Sequence, residues 1–294
     1  MQYRAYLLLI ITAAVWGSNA IAGKLAVGHI SPFLLTSARW GISFVAAALF
    51  GYRHIMRDMP IIRRHILLVG GYGAIGFACF NASFYAAAKY TTALNIVIIQ
   101  AGMPLVIFIV SFLVYRLKIS GWQALGFTLT LVGVLVAVSN GSLATLVGMH
   151  FNRGDALMVL ADIFYGGYCA MLRSKPSMHW LSFMAALSAS AFLASLPFVA
   201  WEAWSGAMVL PGLRGGTIAL YTAIGPGLIA QTAFIAGAEL IGSNRAGLFI
   251  NLVPVFGGVM SVLILREALH LYQAAAFLLV LGGIALAERR NWKT

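Results

Sequence analysis

The sequence predicts an all-α membrane protein of ten transmembrane helices, arranged as two inverted five-helix repeats. Three observations carry this. Of 294 residues, 62% are hydrophobic and only 9% are charged, against roughly 25% charged in soluble domains. The 19 Lys+Arg and 7 Asp+Glu cannot clothe a water-facing surface of this size, which excludes an aqueous enzyme. The apolar residues gather in runs of about 18 to 24, and ~20 helical residues cross the hydrocarbon core. Finally, the chain matches itself at an offset of about 150 residues, close to half its length. The short alternating segments of an outer-membrane barrel are missing.

Runs bounded by charges, Pro or Gly place the spans at 5–27, 33–52, 65–88, 92–115, 121–139, 154–173, 179–201, 216–238, 244–265 and 270–288. They are read as helices because lipid offers the backbone no hydrogen-bond partner, so each span must satisfy its own amides. Connections are short. Only 140–153 and 203–215 approach a dozen residues, which leaves no room for a soluble domain and divides the chain into repeats at 1–145 and 150–294. Arg4, the first apolar run and Ala20-Ile21-Ala22 resemble a cleaved signal peptide. The run is long for a signal core and carries Trp16 and Asn19, so it is read as the first span.

The net charge is +12. The basic residues lie in the gaps between apolar runs rather than in a patch interleaved with aromatics, so they point to membrane orientation and not to nucleic acid. Thirteen of them, from Arg4 to Lys293, fall on one side, and five (Lys24, Lys89, Arg153, Arg214, Arg266) fall on the other, with Arg39 inside a span. The positive-inside rule then puts both termini in the cytoplasm, in a multi-pass inner (plasma) membrane protein. Cys79 and Cys169 sit in apolar runs without metal-ligand spacing and read as packing residues. No metal or cofactor is expected.

At an offset of 150, Pro104 meets Pro254, Ser111 meets Ser261, Arg116 meets Arg266, Gln123 meets Gln273 and Gly133 meets Gly283. At 149, Ala74-Ile75-Gly76 meets Ala223-Ile224-Gly225, Gly17 meets Gly166 and Lys24 meets Arg173. Five spans per repeat is an odd number, so the second repeat enters the membrane upside down. Such inverted pairs suit a secondary transporter that alternates access to a substrate near the midplane.

Trp16-Gly17-Ser18-Asn19 leading to Lys24, Pro32 followed by Arg39, Tyr90-Thr91-Thr92-Ala93 and Pro104 resemble the EamA-type drug/metabolite transporters. Pro254, Glu267 and Gly282-Gly283 carry the pattern into the second half, and the resemblance covers nearly the whole chain. One departure stands out: Leu117 occupies the position matching Glu267. The resemblance implies ten helices and export of small metabolites, with the aromatic amino-acid exporters closest in appearance.

Candidate cavity residues follow from polar and aromatic groups sharing helical faces. They are Trp16 and Asn19 on the first span, with their matches Tyr165 and Tyr168 on the sixth. Phe77, Asn81, Phe84 and Tyr85 lie on the third span, and Gln231, beside Phe234, on the eighth. Aromatic walls with a few amides suit a small amphipathic solute. Pro104 and Pro254 deprive the carbonyls of Gln100 and Ile250 of intrahelical donors, so the paired bends read either as hinges with Gln100 and Asn251 facing the cavity or as static kinks. Small residues recur every fourth position at Gly70, Ala74, Ala78, Ala82 and Ala86, and at Gly215, Ala219, Ala223 and Gly227. They read as packing or as a sliding seam. Arg39 and Asp162 are the charges deep within spans: Arg39 a structural tie or cavity group, Asp162 a proton carrier or a neutral hydrogen-bonding acid, while Lys24 and Lys89 lie near the outer ends of their spans, where they can snorkel.

Other classes find no support. His-Glu-x-x-His, Gly-x-Ser-x-Gly and the phosphate loop are absent from the sequence. The expectation is a non-enzymatic exporter acting as a monomer in the lipid bilayer on a small-molecule substrate. It is coupled to protons or purely facilitative; cationic compounds and nucleosides are the alternative substrates.

Overall fold

The structure is a computed structural model describing residues 2–87, 90–91, 96, 99–139, 141–148, 152–257, 260 and 271–288. Of the residues singled out above, Lys89, Thr92, Ala93, Ser261, Arg266, Glu267 and Lys293 lie outside this set, as do the side chains of Lys24 and Tyr85.

The described residues form helices and no strands. In chain order these are α1 (Gln2–Ala26), α2 (Pro32–Arg64), α3 (a rod built from Ile66–Gly71, Tyr72–Cys79 and Phe80–Ala87), α4 (Met103–Tyr115) and α5 (Gly121–Val138). A short turn of helix at Leu143–Val147 precedes α6 (Arg153–Met171), α7 (Trp180–Trp204) and α8 (a rod built from Leu213–Thr222, Ala223–Ala230 and Gln231–Ile241). Last come α9 (Ser243–Leu248, then Phe249–Leu252) and α10 (Leu271–Glu288). The helices α1, α2, α3, α6, α7 and α8 are long and apolar enough to cross a membrane, while α4, α5 and α10 are shorter apolar helices.

Two features differ from the sequence expectation. The second span, expected at 33–52, continues as helix to Arg64. At 1.5 Å per residue its 33 residues reach about 50 Å, well beyond a core of ~30 Å. Lipid dictates where apolar residues stop, not where a helix must, and Arg53, Arg57, Arg63 and Arg64 ride on the projecting part. The second difference is that α3 and α8 each contain a π-helical stretch, Tyr72–Cys79 and Ala223–Ala230. These are the stretches that match across the repeat. Both are glycine-rich, and Pro226 removes a donor from the second.

Every helix of one half packs antiparallel against a helix of the other. Against α8, Thr12 Oγ1 of α1 donates to the Ala230 carbonyl at 3.1 Å and Trp16 Nε1 to that of Pro226 at 3.2 Å. The mirror pair is α3 with α6, where Tyr72 donates to the Met171 carbonyl at 2.6 Å and Gly76 lies under the Tyr168 ring. Ser111 Oγ of α4 donates to Asn244 Oδ1 of α9 at 2.7 Å. Gly126 of α5 abuts Gly283 of α10, and Gly133 abuts Ala276 and Val280.

The pair α2 and α7 is tied at both ends. Near the end of α7, buried Glu202 accepts from Ser31 Oγ at 2.7 Å and from the Leu34 amide at 3.1 Å, at the start of α2. Near the end of α2, buried Asp58 accepts from the His179 amide at 2.8 Å, at the start of α7. Each carboxylate satisfies orphan amides at the positive end of the other helix.

Hydroxyls close the carbonyls around the wide turns. Ser43 on α2 donates to the Ala223 carbonyl at 2.9 Å, and Ser190 on α7 donates to that of Gly70 at 2.6 Å. The small-residue rows therefore face closely packed neighbours: Gly227 lies against Ser43 and Arg39, and Gly215 against the His29 carbonyl.

Candidate functional site

The polar and aromatic residues chosen from four separate spans converge on one cluster. Trp16 of α1 meets Tyr165 of α6 edge-on, with ring centroids 5.9 Å apart. These two are repeat mates, 149 positions apart. Because they touch each other, the local two-fold axis relating the halves passes between them.

Further rings flank this contact. Phe234 of α8 lies 5.3 Å from Trp16, and Phe80 of α3 lies 4.9 Å from Tyr165 with Phe84 at 5.9 Å beyond it. Tyr168 packs on Tyr165 at 5.4 Å and on Phe77 at 5.1 Å. Phe77 in turn stacks on Trp40 at 4.4 Å. Arg39 places its guanidinium 4.9 Å from the Trp40 ring centroid.

The amides of the two rods are used differently. Gln231 bridges two tyrosines: its Oε1 accepts from the Tyr165 hydroxyl at 3.1 Å and its Nε2 donates to the Tyr168 hydroxyl at 3.2 Å. Asn81 of α3 instead donates to the Phe77 carbonyl one turn back in the wide part of α3, at 2.7 Å. Asn19 and Asp162 each keep a buried oxygen with no hydrogen-bond partner among the described residues.

A second locus holds the prolines. Pro104 stands at the start of α4, after a turn at Ala101-Gly102, and Pro254 follows the 3-10 turn Phe249–Leu252 of α9. Each proline thus marks a break in helical type rather than a bend in a continuous α-helix, because the ring favours the first turn of a new segment. The two breaks face each other, with Gln100 and Ala101 opposite Ile250, Asn251 and Pro254, and no water-sized void lies between them. Asn251 turns toward α5, donating to Thr130 Oγ1 at 2.9 Å. Repeat-mate glycines press on these segments from outside. A Cβ on Gly17 would lie 3.0 Å from the Val253 carbonyl, and one on Gly166 would lie 2.8 Å from Val106.

Packing is tight on the side of the cluster toward the N-terminal end of α1. Below Trp16, the space between Leu9, Thr12, Ala13, Phe234, Phe249 and Ile250 has no room for water. Further toward the N-terminal end of α1, Tyr6 stacks on Phe249 at 5.8 Å and accepts from Arg245 Nη2 at 3.3 Å. At the same end Lys175 pairs with Glu239 at 2.7 Å.

Of the residues proposed from sequence, Trp16, Phe77, Phe84, Tyr165, Tyr168 and Gln231 share the aromatic cluster, with Asn81 on the same face of α3. Gln100, Asn251, Pro104 and Pro254 form the second locus instead. Sequence reasoning missed Trp40, Phe80 and Tyr72. Phe80 was legible, lying three residues after Phe77 and four before Phe84 on one helical stripe; Trp40 and Tyr72 had no such signal.

Among the described residues no group of three His, Cys, Asp or Glu side chains could hold a metal. The arrangement gathers aromatic faces, amides and one acid in an apolar interior.

A Bacillus subtilis (strain 168) protein described as "Uncharacterized transporter YetK" is 26% identical over 287 residues, covering 96% of this chain and 86% of that protein. A "Probable amino-acid metabolite efflux pump" of Salmonella typhimurium (strain LT2) is 25% identical over 295 residues, covering 94% and 92%. A solved crystal structure superposes with a TM-score of 0.81 over 100% of both chains at 20% identity, a likeness of fold. The profile of the EamA-like transporter family matches twice, at residues 3–139 and 152–288. The chain is a multi-pass membrane protein that belongs to the EamA-like transporter family.

Proposed function

We propose that the protein is a secondary carrier of ten transmembrane helices that exports small metabolites, amino acids including aromatic ones, across the inner membrane. It works as a monomer by alternating access between the inverted halves 1–145 and 150–294, with both termini cytoplasmic. The observation that carries the reading is the contact of repeat mates Trp16 and Tyr165 at the centre of one aromatic cluster. A site on the axis between inverted halves presents the same walls to either membrane face as the halves exchange conformations. The tight packing at the Tyr6, Phe249 and Arg245 end then corresponds to a state closed toward the cytoplasm. The efflux-pump relative favours amino acids as cargo. Asp162 and Arg39 are the groups for coupling to protons or for holding charge within the bundle.

Counterflow in proteoliposomes with a panel of amino acids, nucleosides and cationic drugs tests the proposal. Saturable exchange of an amino acid supports it, whereas conductance without saturation sinks it. A pH gradient imposed on symmetric vesicles should drive uphill flux, lost in Asp162→Asn; flux that runs only downhill marks a facilitator. Cysteines placed at positions 31 and 180 should label from opposite faces, since these positions start the antiparallel helices α2 and α7.

A further inference from the structure

The exposed face of α2 changes chemistry along its length. Val45, Leu49, Arg53 and Arg57 follow one another at every fourth position, and Tyr52, Met56, Arg63 and Arg64 fall on the same side of the helix. All of these are exposed, whereas Ala47, Gly51, Asp58 and Ile62 form the buried side. One continuous face therefore runs from aliphatic residues into a band of arginines.

Two contacts set the depth of that band. A Cβ on Gly51 would lie 2.8 Å from Leu181 Cβ, and the His179 amide donates to Asp58. Trp180, between these two residues at the start of α7, therefore stands level with residues 51–58, and it is 48% exposed. Exposed Tyr52 lies in the same layer. Trp and Tyr on the outside of a membrane helix favour the headgroup level. Arg53 and Arg57 share that level, while Arg63 and Arg64 follow about 8 Å beyond Asp58 along the axis, a distance their long stems can span. Ile66 and Leu67 then open α3, Leu67 being 90% exposed, so apolar surface resumes just past the band.

Asp58 is the only acid of α2 and it is buried on the opposite side. Arg57 Nε donates to it at 3.2 Å, with the Arg57 side chain still 66% exposed. The outward face thus carries several guanidinium groups and no carboxylate of its own helix. It is the flank of a helix rather than a recess, and it continues an apolar face, so its complement is an anion that already lies along that face.

We propose that Arg53, Arg57, Arg63 and Arg64 form a docking band for anionic phospholipid headgroups whose acyl chains lie along Val45 and Leu49. A guanidinium pairs with phosphate through parallel N–H donors. Each basic residue at a membrane surface adds roughly a fivefold preference for anionic lipid. The band does not depend on which solute is carried.

The test gives the purified full chain in detergent equimolar phosphatidylglycerol and phosphatidylcholine with the same acyl chains, and counts retained lipids by native mass spectrometry. Phosphatidylglycerol should be retained at least about tenfold over phosphatidylcholine, and the preference should shrink as salt rises. Replacing Arg53, Arg63 and Arg64 together by Gln should bring it within about twofold. Arg4→Gln, Lys118→Gln and Arg214→Gln together remove the same charge at exposed sites elsewhere and should leave it unchanged. Equal retention of the two lipids by the unaltered chain overturns the band whether or not the variants fold. So does a preference kept in the arginine variant, or an equal loss in both triple variants, which marks net charge as the cause. Displacement of the lipid by excess glycerol 3-phosphate assigns the arginines to a soluble phosphate and overturns it too.

Discussion

Gly282 and Gly283 are neighbours on α10, yet alanine should have opposite effects at the two positions. A Cβ on Gly283 would lie 2.6 Å from the Gly126 carbonyl oxygen, 2.7 Å from Thr130 Cγ2 and 2.8 Å from the Thr130 amide nitrogen. To regain the 3.4 Å of ordinary contact, α5 and α10 must part by about 0.8 Å. Two of the obstructing atoms are backbone and cannot rotate away. Overpacking of this kind costs about 1–3 kcal/mol, and backbone obstruction places it at the upper end. A Cβ on Gly282 meets only Leu129 Cδ2, at 3.7 Å. There the ~1 kcal/mol helix advantage of Ala over Gly operates alone. At roughly 2–4 °C per kcal/mol for a chain of this order, Gly283→Ala should lower the thermal midpoint in detergent by several degrees and Gly282→Ala should hold or raise it. The readout is fluorescence-detected size exclusion after heating. A midpoint for Gly283→Ala at or above the parent's would refute the α5–α10 packing described here.

Gln231→Leu should leave two buried tyrosine hydroxyls without their partner, at about 1–3 kcal/mol each. It should cost far more midpoint than Tyr168→Phe, and equal midpoints would discount the bridge. Glu202→Ala should free the Leu34 amide and the Ser31 hydroxyl at a cost of about 1–3 kcal/mol, seen as faster hydrogen exchange confined to the first turn of α2. Stability should also fall in mild acid. Burial, then the neighbouring His54 and Arg57, hold the His179 imidazole below its usual range. His179 stacks on His54 at 3.6 Å, and its Nδ1 accepts from the Leu181 amide. The unfolded chain therefore binds the proton more readily, so this contribution is complete above pH ~6.5 and is lost as pH falls below it. The midpoint should drop between about pH 7 and 5, and His179→Gln should flatten that slope; an unchanged slope would discount the role of His179.

Composition and hydrophobic run length determined the membrane class, because lipid accepts helices of one minimum length and no exposed backbone. The offset of about 150 exposed the repeat before any contact was known, since paired prolines and glycines at equal spacing survive in an otherwise interchangeable apolar sequence. Periodicity also delivered Trp16, Tyr165, Tyr168 and Gln231, each a polar or aromatic residue whose burial in lipid demands a reason. Three things were settled only in three dimensions. A run of apolar residues looks the same to a sequence pattern whether its turns are α or π, so the wide turns of α3 and α8 were invisible. Helix ends that project past the lipid carry no hydrophobic signal, so α2 outran its expected limit. The third is which partners the buried amides of the cluster take. Gln231 finds two tyrosines while Asn81 folds back on its own helix, and which partner a side chain meets depends on neighbours contributed by distant segments.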